Sequence, residues 1–304
     1  MQFGKSTSLG KLTGRQKAAN VVQKTWMIWP ALALMFVFFL WPIIMALYYS
    51  FTNLALSGSA AANFKFIGVH NYERIFTDKD MFNSVKLTLI FLIGSLLGQN
   101  ILGFMIAYFM KRRNRVVRRI VGAIIMGGWV MPEIVVAICS YAFFYNKGTG
   151  TLNRIIALFG AKAIPWLYDH AMLTVILSNI WNGMAYSMMV YQAALDDVPE
   201  DIEESAYMDG VNRLQNLRYI IIPQVKSTIF TNVMLNTLST LGVFGLIYRL
   251  TGGGPSHATE TIPIYMYNQA FKSFDLGYGS AISVVLLMIG IALSVLYTRV
   301  VRDR

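Results

Sequence analysis

EESAYMDG, residues 203–210, lies within a polar insert, residues 196–226, of a chain that otherwise reads as one apolar stretch after another. The flanks fix the setting of this acidic, glycine-ended segment. Of 304 residues, 56% are hydrophobic and 13% charged, where a soluble globular protein carries about a quarter charged. A helix needs about 20 apolar residues to cross roughly 30 Å of hydrocarbon. Stretches free of Lys, Arg, Asp and Glu cover residues 27–51, 87–110, 171–195, 227–248 and 276–298, and residues 120–145 are interrupted only by Glu133. The expected fold is an all-α integral membrane protein with about six transmembrane helices. A polar arm, residues 1–25, precedes a transmembrane domain over residues 26–304.

Basic residues set the expected orientation. Lys5, Lys11, Arg15, Lys17 and Lys24 precede the first span, six Lys and Arg from Lys111 to Arg119 separate the second and third, and Arg299, Arg302 and Arg304 end the sequence. Positive flanks stay in the cytoplasm, so both termini and residues 196–226 are expected inside. Residues 52–86, 146–170 and 249–275 then lie outside. The excess of 26 Lys and Arg over 15 Asp and Glu reads as a topology signal in contact with anionic lipid rather than a nucleic-acid surface. The single Cys139 builds neither an intrachain disulfide nor a multi-cysteine metal site. The first apolar run is too long for a cleavable signal and reads as a retained span.

Catalytic constellations are absent from the sequence. Gly4-Lys5-Ser6 has the end of a phosphate-binding loop without its first glycine or preceding strand. His70, His170 and His257 are scattered, with no His-Glu-x-x-His pairing and no Gly-x-Ser-x-Gly elbow. No catalytic or metal-binding residue is expected.

Within the insert, Asp197 ahead of Pro199 and Glu200 reads as an N-cap with its capping-box acid. The helix it opens carries Asp201, Glu203 and Glu204 where the dipole favours negative charge, and Gly210 supplies the turn that ends it. Asn212 caps a second short helix, expected to stop near Ile222 because Pro223 disfavours the helical conformation before it. Apolar residues recur at helical spacing on both: Ile202, Ala206 and Tyr207, then Leu214, Leu217, Ile220 and Ile221. They must be covered either by this chain's own spans or by another protein.

Glu204-Ser205-Ala206, followed by Tyr207-Met208-Asp209-Gly210-Val211 and then Leu217, Ile220 and Pro223, resembles the Glu-Ala-Ala loop of permease subunits in binding-protein-dependent ABC importers. It departs from that pattern at Ser205, Val211, Leu217, Ile222 and Ser227. Trp41-Pro42, Ser50-Phe51-Thr52, the run from Phe66 to Tyr72, and Leu250-Thr251-Gly252-Gly253-Gly254-Pro255 with Ala258-Thr259-Glu260-Thr261 are similar to the carbohydrate branch of that family, the maltose and multiple-sugar permeases.

The resemblance implies a type I ABC importer permease fold in a bacterial inner membrane. It implies four partners: a second homologous permease, two cytoplasmic ATP-binding subunits that hold the ATP and magnesium, and an extracytoplasmic solute-binding protein. This chain itself would hold no cofactor, and its substrate would be an oligosaccharide. By the same resemblance Glu203, Glu204, Ala206, Tyr207, Asp209 and Gly210 form the coupling helix and corner that seat on the ATPase. Importers of acidic oligosaccharides or polyol phosphates, and a channel or membrane enzyme acting alone, are the alternatives.

Polar side chains enter spans at a cost and mark pathways or helix contacts. Asn179, Asn182, Gly183 and Tyr186 share one helical face, and Asn236, Ser239 and Thr240 form a stripe on the next span. Amides and a phenol exchange hydrogen bonds with sugar hydroxyls, and an aromatic ring stacks on the apolar sugar face. In the carbohydrate branch, sugar-contacting positions align with these seven. Glu133, the one acid inside an expected span, joins them as a candidate.

Overall fold

Apolar runs of this length become helices because lipid offers their backbone no other partner. A computed structural model of the chain describes residues 28–146 and 148–302; the expected arm over residues 1–25, Lys147 and Arg304 lie outside the described residues. Among those described no strand forms, only isolated bridges of Thr52 with Phe66 and Ala55 with Asp275.

The helices that build the molecule are α1 (Trp29–Ser50), α2 (Lys79–Lys111), α3 (Arg115–Val130), α4 (Glu133–Phe143) and α5 (Ala171–Asp196). They continue with α6 (Glu200–Met208), α7 (Arg213–Asn216), α8 (Ile222–Leu241), α9 (Gly245–Leu250) and α10 (Leu276–Arg302). α1, α2 and the Leu276–Arg299 part of α10 are each long and apolar enough to cross a membrane. α5 and α8 have the length, but asparagines and hydroxyl residues along them lower their mean hydropathy.

The structure differs from the sequence reading at three places, two of them set by proline. Residues 120–145 do not form one straight span: α3 and α4 meet at 105°. Met131, driven to ψ 132° by the following Pro132, is extended and ends α3. Glu133 therefore opens a new helix instead of interrupting an old one. The second insert helix, in contrast, does not stop before Pro223. Ile222 stays helical, and a π turn over Leu217–Ile221 carries α7 into α8, absorbing the missing hydrogen bond and the proline ring. At the start of the insert, Asp197 terminates α5, and Pro199 precedes α6 without a side-chain cap. The remaining corner follows expectation: Gly210 has φ +83°, and Asn212 with Gln215 forms a full capping box on α7.

α2 and α5 pack along their length and form the spine of the molecule; α8 lies against both, α9 against α4, and α1 flanks the bundle against α10. The spine is tight. A Cβ on Gly103 would sit 2.6 Å from Ser187 Cβ and 2.9 Å from the Met188 backbone nitrogen. Gly94 and Gly98 likewise receive Ile176 and Ile180 of α5.

Two apolar cores clamp the spine. One holds Phe91, Val136, Val175, Leu246 and Ile264, and the other Ala107, Met110, Met188, Tyr191, Leu195 and Ile221. At the far end of α2 from the insert, Asp78 caps the helix and accepts hydrogen bonds from the hydroxyls of Tyr265 and Tyr278. Burial pushes its carboxyl up, but those hydroxyls and two backbone N–H groups outweigh that and hold it below the usual value.

Candidate functional site

Between the two cores the helices part around a cavity of about 290 Å³. Its α2 member, Gln99, lies about 12 Å along the helix axis from both Phe91 and Ala107. α5 contributes Asn179, Asn182, Gly183 and Tyr186, α8 contributes Asn236, Ser239 and Thr240, and the first turn of α4 contributes Glu133. All eight residues singled out in the sequence as substrate candidates line this one space.

Their side chains divide between holding helices and facing the cavity. Asn182 donates from Nδ2 to the Gly128 carbonyl at 3.0 Å, tying α5 to α3. Asn236 donates to Ser187 Oγ at 2.7 Å, beside Asn232, which reaches Ser187 Oγ and Asn100 Oδ1 at 3.1 and 2.9 Å. This polar seam joins α2, α5 and α8. Asn179, 5% exposed, keeps a buried Nδ2 that meets no acceptor. Glu133 is exposed at the mouth of α4, its carboxylate against Gly245. Among the described residues no lysine, arginine or histidine lines the cavity.

Gln99 and Trp129 were not among the sequence candidates. Gln99 donates to the Asn179 carbonyl at 3.0 Å, and a Cβ on Gly183 would fall 2.4 Å from its Nε2, so the glycine exists to admit this amide. An amide inside a charge-free span is itself a signal of this kind. Trp129 stacks on Tyr186 with centroids 6.0 Å apart and planes at 27°. Nothing in its local sequence marks it; the packing of α3 against α5, where Asn182 meets Gly128, brings it there.

On the other side of the Met110–Tyr191 core, the insert turns two faces in opposite directions. Glu203 is 4% exposed and Ala206 7% exposed, both against the chain's own helices. The Glu203 carboxylate accepts from Lys111 Nζ, from Arg112 Nη2 at 2.9 Å and from Asn216 Nδ2 at 3.2 Å. Burial raises its pKa, but the hydrogen bonds and charge of Lys111 and Arg112, helped by Asn216, outweigh that and draw it below the ordinary carboxylate range. Tyr207 accepts from Arg112 and Asn216 at 3.1 and 3.0 Å, with the guanidinium also over its ring. Glu204, Ser205, Asp209 and Gly210 point outward with Met208, which is 88% exposed, and Leu214.

A bundle with a broken third span, a polar chamber between two cores and an acidic insert with an outward face is the outline of a transport subunit. The chain belongs to the family of binding-protein-dependent transport system inner membrane components, whose pattern matches residues 99–304. It is thus a permease subunit of an ATP-driven importer.

It is 28% identical over 295 residues to the trehalose/maltose transport system permease protein of Thermococcus litoralis, covering 96% of this chain and 98% of that one. Over 280 residues it is 32% identical to the sn-glycerol-3-phosphate transport system permease protein of Agrobacterium fabrum, covering 90% and 93%. Among solved structures it matches a chain of a bacterial alginate ABC transporter in complex with an alginate pentasaccharide-bound periplasmic protein. That match has a TM-score of 0.78 at 20% identity, covering 93% of this chain and 96% of that one, and shows the shared fold.

Proposed function

We propose that this permease subunit forms half of a translocation pathway for neutral oligosaccharides and that α6 is the plug through which a separate ATPase drives it. The carrying observation is the convergence of Asn179, Asn182, Gly183, Tyr186, Asn236, Ser239, Thr240 and Glu133 on one chamber midway along the bundle. Amides, hydroxyls and a stacked pair of aromatic rings suit a hydroxylated ring that also has an apolar face. A lining with one carboxyl group and, among the described residues, no Lys, Arg or His offers no cation for an anionic solute to pair with, which weighs against acidic oligosaccharides and polyol phosphates. Arg249, Arg154 and Lys162 lie outside its lining.

The partners in this reading are a second homologous permease, two ATP-binding subunits that hold ATP and magnesium, and an extracytoplasmic solute-binding protein. This chain binds no nucleotide and catalyses nothing. Both termini and the insert face the cytoplasm, as the basic flanks favour. Glu204, Asp209 and Gly210 meet the ATPase from the outward face of the insert, and Glu203, Ala206 and Tyr207 support them from within.

The test is ATPase stimulation and uptake by the complete complex in proteoliposomes. The solutes are neutral di- and trisaccharides, uronic-acid oligomers and glycerol 3-phosphate. Neutral sugars are expected to stimulate, and Tyr186→Leu to cut their uptake by about tenfold through loss of the stacked face while the complex still assembles. Stimulation by the anionic solutes alone would overturn the substrate reading.

A further inference from the structure

The contacts of Glu203 separate it from its neighbour Glu204. Glu204 points out of the insert, whereas the Glu203 side chain is 5% exposed and meets Lys111, itself 9% exposed, in a buried ion pair. Lys111 is the last residue of α2 and Arg112 caps it, so both cations also sit where the negative end of the α2 dipole favours them. The third donor, Asn216, ends α7 and is fully buried at the root of the π turn that becomes α8. One carboxylate therefore ties α6 to two separate helices. Both lead into the cavity: α2 carries Gln99, and α7 passes through the π turn into α8, which carries Asn236, Ser239 and Thr240.

Taking the insert as the ATPase plug, we propose that Glu203 is a positioning residue of the transport cycle, the internal rivet through which displacement of α6 reaches α2 and α8 together. An uncharged side chain leaves α6 held to those helices only through the hydrogen bonds of Tyr207 to Arg112 and Asn216, a weaker joint that drags the pathway helices less completely. A buried pair that loses one partner also leaves an uncompensated cation, which favours loosening of the joint. The chemistry asks for negative charge and reach at position 203, since three donors converge on its two oxygens. At position 204 the surface of the partner sets the demand instead.

The experiment compares Glu203→Gln, Glu203→Asp and Glu204→Lys in the complete complex reconstituted with its ATPase subunits and binding protein. It measures retention of the ATPase subunits and solute transported per ATP hydrolysed. Glu203→Gln is expected to keep the ATPase subunits bound and to lower transport per ATP by about tenfold, within the usual range of coupling between sites. Glu203→Asp should recover a large part of the loss, which a purely space-filling role would not produce. Lys111→Met, which removes the buried ion pair but leaves Arg112 and Asn216 on the carboxylate, should lower transport per ATP in the same direction and by less, and serves if Glu203→Gln fails to insert.

Unchanged transport per ATP in Glu203→Gln or Lys111→Met overturns the proposal. So does loss of the ATPase subunits from Glu203→Gln, because that would make residue 203 part of the docking surface. Normal coupling in Glu204→Lys would instead sink the plug reading, whatever the Glu203 variants do.

Discussion

Gly183→Ala puts the cavity to a quantitative test. An added Cβ would lie 2.4 Å from Gln99 Nε2, 2.5 Å from Cδ and 3.0 Å from Oε1, well inside the roughly 3.5–4.0 Å at which such atoms rest. The atoms it meets are the end of a flexible side chain, so the backbone can stay while the amide swings away. Swinging breaks the 3.0 Å bond from Gln99 to the Asn179 carbonyl, a net loss of about 0.5–1.5 kcal/mol, and the amide then intrudes on the space a solute would fill. Gly103→Ala, on the same helix interface, has no such escape. Its Cβ meets Ser187 Cβ and the Met188 backbone, and overpacking of this kind costs about 1–3 kcal/mol.

The two alanines should therefore fail differently. Gly183→Ala is expected to lower the thermal midpoint of the purified complex only slightly, as the loss of one internal hydrogen bond, with subunit recovery close to the parent, while the displaced amide costs the solute one hydrogen bond of similar size and raises the KM for uptake by about 2- to 12-fold. Gly103→Ala should lose assembled complex, and whatever complex survives should keep the parental KM. An unchanged KM for Gly183→Ala in an intact complex would show that Gln99 and Gly183 only pack helices.

Two further outcomes concern the insert. Glu204→Lys reverses a charge on its outward face and should leave the permease folded, with ATP hydrolysis no longer yielding uptake; normal uptake would refute the plug. For Glu203 the folded pKa lies below the unfolded value of about 4.3, so its stabilising contribution is fully present above that value and is lost as pH falls through the folded pKa. Proteolytic protection of residues 196–226 in the purified complex should hold from pH 8 to about 5 and fail only in more acidic solution. Loss of protection between pH 7 and 5 would contradict that sign.

The helices were legible in the sequence because lipid allows so few alternatives, and the polar stripes of α5 and α8 because helical spacing brings Asn179 beside Asn182, Gly183 and Tyr186. The prolines were harder to read. Pro132 breaks a span and Pro223 does not, although both follow apolar residues: a π turn over Leu217–Ile221 leads helically into Pro223, whereas Met131 ahead of Pro132 is extended. The insert shows the same limit. Its corner was written in Gly210 and Asn212, but the inward turn of Glu203 depends on Lys111 and Arg112, far away in sequence. Trp129 reaches the cavity through the packing of α3 on α5, a contact between segments some fifty residues apart that no local pattern encodes.

The unbroken length of α2 gives it leverage. Gln99 stands about 30 Å from its Lys79 end and about 18 Å from Lys111, and the Lys79 end is pinned through Asp78 by Tyr265 and Tyr278. With that end as fulcrum, a sideways push of about 3 Å at Lys111 becomes roughly 2 Å at Gln99. Because α2 and α5 interlock at Gly94, Gly98 and Gly103, a modest stroke at the insert moves that wall of the chamber as one body, without bending a single helix.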